Sequence, residues 1–276
     1  MLGRTGYGPG PAHPDAYEYV LGLHKSLIAW EFLRRCSTYQ DAYRSHASPY
    51  DSVSEPKGPN RFVRIARKRH PFAGPFGLRS FVEPGLSGAV APIFWLRDYY
   101  SAVLRMRVAE ADRSEVIKAP IRIASLPCRI WALIEHDGAQ HLLLTEHLRA
   151  IQFTCTGPLA LEPDVNLVVE IDDFADVRMT MKTLGELEDF YQGFLVEKAP
   201  DQTEAKTLRW QQMLMVYDGK QRGMTDRDVA EALFGEADVA AEWQTRDGPL
   251  RARTRRLVTD AQKLVDGGYQ RILRGA

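Results

Sequence analysis

The spacing of apolar residues changes twice along this chain of 276 residues, and this change constrains the fold more than any other feature. Apolar and aromatic residues recur at helical intervals in residues 16–44, and helical periodicity returns at residue 179 and continues to the end. Between these segments, two β-type runs flank Asp137 and Gly138, a dipeptide typical of a hairpin turn. We therefore predict an α+β protein with a small helical and irregular N-terminal domain, a middle antiparallel β module and a C-terminal helical domain.

Changes in composition predict where these domains begin and end. Residues 1–15 are rich in glycine and proline and are predicted to form a flexible tail. Residues 16–100 are predicted to form an N-terminal protein-interaction domain, in which prolines and glycines break up the segment 75–98, so that it should wrap a surface in short pieces and turns. Residues 101–178 are expected to form a small β-rich module, and residues 179–276 a helix-turn-helix-like domain.

The formal net charge is zero, but the two signs are segregated along the chain. Residues 160–199 hold three Lys or Arg against ten Asp or Glu, whereas residues 250–276 hold seven against two. For either block taken alone, a solvated surface is as good an explanation as a surface that binds a partner. Residues 45–60 are predicted to be a loop, and the basic run 61–70 that follows favours a charged surface over a nucleic-acid contact.

Several function classes find no support in the sequence. No apolar stretch is long enough for a membrane span and no signal-peptide core is present, so we expect a cytoplasmic, nucleoid-associated protein without a membrane partner. Cys36, Cys128 and Cys155 are far apart and odd in number, which is typical of reduced thiols. Phosphate-loop, dinucleotide and GxSxG motifs are missing, so we predict no enzyme activity, no catalytic residue and no cofactor.

Two groups of potential metal ligands are weak candidates. The histidines of the predicted hairpin region would be separated by its strands, which favours surface or hydrogen-bonded histidines; they are His136, His141 and His147. The acidic group lacks the glycine and terminal glutamate of a calcium loop, which favours a solvated turn; its members are Glu170, Asp172, Asp173 and Asp176. We predict no metal site.

The C-terminal segment predicts three helices in an order that can present one of them to a ligand. A helix over 203–218 is followed by a short helix over 225–234, with Thr225 as its N-cap and Gly235 as its stop, and then by a basic helix. In such a unit the last helix enters the major groove of DNA. Fifteen residues separate Phe234 from Leu250, whereas a standard turn has about three or four. Residues 237–243 can add a short helical turn, with Trp243 as a plug in the core.

The basic helix is amphipathic. One arc of about 100° holds its apolar side chains, which are Leu250, Leu257, Ala261, Leu264 and Val265. The other side and its flanks hold the candidate DNA-binding residues, which are Arg251, Arg253, Arg255, Arg256, Thr259 and Lys263. Because the helix dipole repels cations near an N-terminus, these arginines are expected to serve a ligand, and DNA phosphates and guanine edges are suitable acceptors. A solvated arginine-rich surface is the alternative.

Two stretches of the chain resemble a known family. The run DGKQRGMTDRDVAEALFG, the later EW and LRARTRRLVTDAQKLVDGGYQRILR resemble the C-terminal domain of the FseA-like transcriptional activators of proteobacterial integrative and conjugative elements. That domain is a helix-turn-helix variant with an extended turn, which would account for the long insertion. The runs AWEFLRRCSTYQDAYR and FGLRSFVEPGLSGAVAPIFW resemble the companion N-terminal domain of that family.

The resemblance implies a function. A DNA-binding transcriptional activator would control the excision and conjugative-transfer genes of a mobile element, with its basic helix on double-stranded promoter DNA and RNA polymerase as a further partner. The N-terminal domain would dock on the C-terminal domain, and a small acidic antiactivator protein of the same domain type would compete for it. Its docking face would hold Trp30, Phe32, Leu33 and Tyr39, for which a local core is the alternative. The rival hypothesis is a protein-binding regulator, an antiactivator or adaptor, that does not bind DNA.

Overall fold

The computed structural model describes residues 14–47, 54–56, 61–66, 70–110, 123, 126, 128–146, 149–162, 165–191, 204–243 and 248–275, with backbone alone at 54–56, 61–66 and 204. These residues divide between two compact units, each built from separate parts of the chain. The helical unit takes its residues from 1–40, 83–91 and 200–276, and the sheet unit takes them from 41–82 and 92–199. The unit limits therefore differ from the sequence-predicted segments. The predicted flexible tail lies almost wholly outside the described residues.

The regular elements confirm the α+β class. The helices are α1 (Lys25–Leu33), α2 (Ser37–His46), α3 (Val177–Tyr191), α4 (Glu204–Gln221), α5 (Asp226–Phe234), α6 (Glu236–Glu242), α7 (Pro249–Lys263) and α8 (Tyr269–Arg274). A 3-10 helix at Pro14–Gly22 precedes α1, and a π-helical segment at Leu264–Gly268 joins α7 to α8. The strands are β1 (Ser54–Pro56), β2 (Arg61–Ala66), β3 (Leu104–Glu110), β4 (Arg129–Glu135), β5 (Gln140–Glu146), β6 (Arg149–Thr156) and β7 (Val165–Val169).

The strands of the described residues form one mixed sheet in the order β1-β2-β4-β5-β6-β3-β7. Most neighbours are antiparallel, as predicted, but β2 pairs with β4 and β3 pairs with β6 in parallel. The antiparallel prediction is wrong for these two pairs. Strand β1 lies in a segment predicted to be a loop, and the strand β2 was not predicted within the basic run 61–70. Parallel pairing joins strands that are distant in sequence, so no short turn between them signals it.

The predicted hairpin is confirmed between β4 and β5, which pair in antiparallel. Gly138 has a φ of 90°, a conformation that glycine adopts without steric cost. The carboxylate of Asp137 accepts a hydrogen bond from the backbone N–H of Ala139 at 3.0 Å. The tight turn therefore depends on the two residues that predicted it.

The core of the sheet unit is apolar and includes the inner face of α3. Its buried side chains include Leu104, Leu144, Phe153, Leu187 and Phe190. The irregular segment 75–98 follows the predicted short pieces and turns, but it buries many of its side chains instead of only covering a surface. The side-chain amide of Gln152 exchanges two hydrogen bonds with the backbone of Trp95, at 2.9 and 2.7 Å. This amide satisfies backbone groups that would otherwise lie buried without partners.

The helical unit brings the two ends of the chain together. Helix α1 packs against α8, the π-helical segment and α4. Helix α4 also packs against α5 and α7. The prediction of three C-terminal helices is confirmed, with α4 extending to Gln221. Gly267 has a φ of 118° and interrupts the helical path between α7 and α8.

Two findings concern membrane-spanning helices and metal sites. Within the described ranges, no helix combines the length and the apolar character needed to cross a bilayer. The same residues contain no group of three or more His, Cys, Asp and Glu that could hold a metal ion. Of the hairpin-region histidines, His136 is exposed and His141 is buried, while His147 lies outside the described residues.

Candidate nucleic-acid interface

Local sequence signals place the short helix α5. The Thr225 side chain accepts a hydrogen bond from the backbone N–H of Asp228 at 3.2 Å, and the Asp228 carboxylate accepts one from the backbone N–H of Thr225 at 2.8 Å. This reciprocal pair is a capping box and confirms the predicted N-cap. Gly235 ends the helix, as predicted, with a φ of 91°.

Helix α6 occupies the first part of the long insertion between α5 and the basic helix. It follows Gly235 directly and confirms the predicted helical turn. Trp243 is only half-buried, however, so its prediction as a core plug is wrong. Val239 is fully buried and takes that place, because it points inward from the middle of α6.

The basic helix α7 buries one face. Leu257, Ala261 and Val265 are buried as predicted, whereas Leu250 and Leu264 at the ends are half-buried. Thr254 is also fully buried, and its hydroxyl donates to the backbone oxygen of Leu250 at 2.9 Å. Thr254 was not among the predicted core residues, because a threonine among arginines gives no hydrophobic signal. Its hydroxyl is satisfied within the helix, so it can face the core.

The candidate DNA-binding residues lie on the other side of α7. Five of them are exposed, and these are Arg253, Arg255, Arg256, Thr259 and Lys263. Arg251 is half-buried. The helix therefore presents a cationic face to solvent. We call these six residues the cationic face of α7.

Contacts on both flanks of α7 fix this face. The Arg253 guanidinium carbon lies 4.7 Å from the ring centroid of Phe234, the last residue of α5. The Arg251 guanidinium carbon lies 4.9 Å from the ring centroid of Trp243, the residue after α6. Asp260 binds Arg209 of α4 at 2.7 Å. Residues of α4, at the end of α5 and directly after α6 thus each contact one charged position on α7.

A buried ionic network joins α1 to α4 in the same unit. The Glu31 carboxylate is 0% exposed and accepts hydrogen bonds from Arg34 at 2.7 Å, from Arg35 at 2.6 Å and from the backbone N–H of Gly88 at 2.6 Å. Arg35 also makes two parallel bonds of 2.8 Å to Asp218. Such a fork fixes distance and orientation together.

The network controls the charge of its carboxylates. Burial acts to raise the pKa of Asp218, but the Arg35 guanidinium and the hydrogen bond from the Tyr17 hydroxyl, at 2.7 Å, outweigh it and hold the pKa below its usual range. Burial likewise acts to raise the pKa of Glu31, and the charges of Arg34 and Arg35 lower it. Both carboxylates are therefore ionised when the unit is folded.

The predicted docking residues lie inside the helical unit. Trp30, Phe32, Leu33 and Tyr39 are fully buried. The Trp30 indole donates to the backbone oxygen of Leu86 at 2.9 Å and meets the Tyr39 ring edge to face, with centroids 5.4 Å apart. These side chains therefore pack within this protein, and their contact with a second protein stays a prediction.

The charged residues of the junction between α1 and α4 were not predicted. Arg34 and Arg35 directly follow α1, three and four residues after Glu31, a spacing that brings charged side chains of opposite sign together. That signal was available in the run WEFLRR. The partner Asp218 lies 183 residues from Arg35, and no local pattern points to it.

A second buried polar cluster lies in the sheet unit. Glu135 binds Arg79 at 2.8 Å, and His141 Nε2 lies 3.4 Å from the same carboxylate oxygen. Burial is the largest effect on His141 and lowers its pKa, which favours the neutral imidazole. The hairpin histidine thus has protein partners.

Comparisons with known proteins agree with this geometry. Residues 168–274 match the family model described as "T6SS, Transcription factor, DNA binding domain", a range that contains the whole cationic face of α7. Residues 12–65 match the model described as "Proteobacterial transcriptional regulator-like domain". No curated protein shows significant similarity to the chain. The two matches support a transcription factor with a C-terminal DNA-binding domain, and they do not separate the FseA-like activators from other transcription factors.

Proposed function

We propose that this protein is a transcriptional activator that binds promoter DNA through the cationic face of α7. The observation that carries the proposal is that five of the six candidate residues are exposed on one helix within the matched DNA-binding region. Lysine and arginine neutralise phosphates and release counterions, which supplies much of the affinity of such proteins. RNA polymerase is the further partner proposed for an activator.

The helical order suits entry of α7 into the major groove. Helix α5 precedes it, as the first helix of a helix-turn-helix does, and α6 occupies the extended turn. Helix α6 carries Glu236, Asp238 and Glu242 and has no basic residue, so phosphates would repel it. We therefore assign α7, and not α6, to the groove.

The experiment measures the affinity of the full chain for promoter duplexes at several salt concentrations. Arg255→Ala and Arg256→Ala should each weaken binding and reduce its salt dependence, because each removes a positive charge that displaces counterions from the DNA. Arg44→Ala is the matched control, because Arg44 is an exposed arginine of the sheet unit that pairs with Asp41. If Arg255→Ala and Arg256→Ala bind DNA with the same affinity and salt dependence as the Arg44→Ala control, the cationic face of α7 is excluded as the DNA-binding surface.

We further propose that the activator controls excision and conjugative-transfer genes of a mobile element. The support is the resemblance of both chain ends to the FseA-like activators. The description of the matched DNA-binding model names T6SS, which provides a second class of target genes to compare. Promoters of both classes, offered in one binding assay, decide between them by affinity.

The resemblance also supports control by an antiactivator. A small acidic protein with a domain of the same type would compete with α8 for α1, because α1 packs against α8 in this protein. Adding such a protein should therefore increase amide hydrogen exchange in α8, because its buried residues Ile272 and Leu273 would lose their cover. Unchanged exchange in a complex that does form would exclude this competition.

A protein-binding regulator that does not bind DNA is the second candidate. One observation favours it: apolar side chains are exposed in the acidic segment of the sheet unit, with Phe174 at 90% and Met181 at 63%. Exposed apolar groups of this kind can mark protein contacts. This candidate predicts that the chain shows no duplex binding at low salt and that Phe174→Ser abolishes co-purification of its partner.

A further inference from the structure

The residues of the cationic face occupy two kinds of position around α7. At about 100° per residue, the exposed midline runs opposite the buried residues Thr254, Leu257 and Ala261. Four residues lie within about 55° of that midline. They are Arg255, Arg256, Thr259 and Lys263. The two remaining residues, Arg251 and Arg253, lie about 100° to either side of it.

These positions meet different parts of a duplex. A helix with its side chains is about 10–12 Å across, and the major groove is about 12 Å wide. Side chains on the midline of a helix in the groove point at base edges. Side chains about 100° away point at the two groove walls, and these walls are the phosphate backbones of opposite strands.

The two flank arginines also have aromatic supports. Phe234 lies under Arg253 and Trp243 lies under Arg251. A ring covers one face of a guanidinium and leaves N–H groups at its edge for hydrogen bonds. The Nε–H of Arg251 is buried, so only its terminal N–H groups are proposed to meet a phosphate. Because the ring holds a long side chain in place before binding, less conformational entropy is lost when a phosphate arrives. Arg256 differs, since its hydrogen bond of 3.4 Å goes to Ala252 of its own helix.

We propose that Arg251 and Arg253 grip the phosphates of the two strands, and that Phe234 and Trp243 are positioning residues that hold them in place. Arg255, Arg256 and Thr259 contact base edges and set the sequence preference. This inference rests on the proposed DNA-binding function and divides its residues by task.

The first test separates affinity from sequence preference. The full chain and its variants select from a pool of short duplexes of random sequence, and the bound sequences are compared. Arg251→Ala and Arg253→Ala should bind all duplexes more weakly, with a salt slope smaller by about 0.9 and the same preferred sequence. Arg255→Ala and Arg256→Ala should change the preferred sequence. The assignment of residues to phosphates and bases is overturned if Arg253→Ala changes the preferred DNA sequence. It is also overturned if Arg255→Ala and Arg256→Ala both leave that sequence unchanged.

The second test concerns the aromatic supports. Phe234→Leu and Trp243→Leu keep both arginines and should lower affinity by about two- to fivefold, the range expected for an exposed cation–π contact. Phe234→Tyr and Trp243→Phe keep a ring and should restore it. Thermal unfolding of the leucine and the aromatic variant at each position checks that both are folded. The test is made independently at Phe234 and at Trp243. Equal affinity of the leucine and aromatic variants at both flanks overturns the positioning role.

The outcomes also distinguish the two proposals. Wild-type protein that binds no duplex at low salt overturns both the proposed function and this inference. Wild-type protein that binds, and that loses affinity in Arg255→Ala but not in Arg251→Ala, Arg253→Ala or the leucine variants, overturns the inference alone.

Discussion

Asp218 is the residue on which the junction between α1 and α4 depends. It accepts two hydrogen bonds from Arg35 and one from Tyr17. Both members of the ion pair are largely removed from water, with side chains 8% and 16% exposed. A buried ion pair contributes little net stability when complete, but removing one partner leaves a buried charge without compensation.

Asp218→Asn should therefore destabilise the protein by about 3 kcal/mol, because Arg35 keeps its charge and loses its main partner. The free energy of unfolding in urea measures this loss. Asp41→Asn is the control, since the exposed pair of Asp41 with Arg44 should contribute less than about 1 kcal/mol. Equal urea midpoints for the two variants would show that loss of the buried pair destabilises the protein no more than loss of the exposed pair.

The same carboxylates predict a dependence of stability on pH. The pKa values of Asp218 and Glu31 are lower in the folded protein than in the unfolded chain, where they lie near 4. Their contribution is complete above that unfolded pKa and is lost as pH falls through the lower, folded pKa. The free energy of unfolding should fall between about pH 5 and pH 3, and it should fall less steeply in Asp218→Asn. Parallel curves for the two proteins would contradict this assignment.

At the scale of elements, the short helix α5 depends on its cap, and two threonines allow a direct comparison. Thr225→Ala removes the capping hydroxyl and should cost about 1 kcal/mol of stability. Thr259→Ala changes an exposed position in the middle of α7, where alanine favours the helix, so stability should hold or rise. We expect the reverse order in DNA affinity, with Thr259→Ala losing more. Urea unfolding and duplex binding of both variants check the two orders.

Elements with local signals were predicted well. The capping residue of α5, its glycine stop and the hairpin turn at Asp137 and Gly138 depend on neighbours in sequence. Strand β2 was missed, because its parallel partner β4 comes more than 60 residues later and the arginines of the run concealed its strand pattern. Trp243 was misplaced for a similar reason, since its ring contacts an arginine of the next helix.

At the scale of the molecule, the helical unit needs both ends of the chain. Tyr269, Ile272 and Leu273 of α8 are buried, and α8 packs against α1. Residues 200–276 expressed alone would expose part of that surface, at a cost of about 1.5–3 kcal/mol for each fully exposed apolar side chain. We expect this fragment to unfold at lower urea concentration and less cooperatively than the full chain.

A fusion of residues 14–47 to residues 200–276 through a flexible linker is the control for this prediction. It supplies α1 again and should raise the urea midpoint of the fragment. A fragment that already unfolds like the full chain would show that α1 adds no stability to the DNA-binding region, and it would weaken the case for an antiactivator that acts by capturing α1.

Sequence patterns were sufficient to predict the α+β class, the helices of the C-terminal region and the basic side of α7. These features depend on periodicity, caps and turns, which act between residues a few positions apart. The folded packing was needed to see that α1 contacts α8, that Arg35 binds Asp218, and that aromatic rings contact Arg251 and Arg253. Such contacts join residues that are distant in the chain, and their geometry follows from how the whole unit packs.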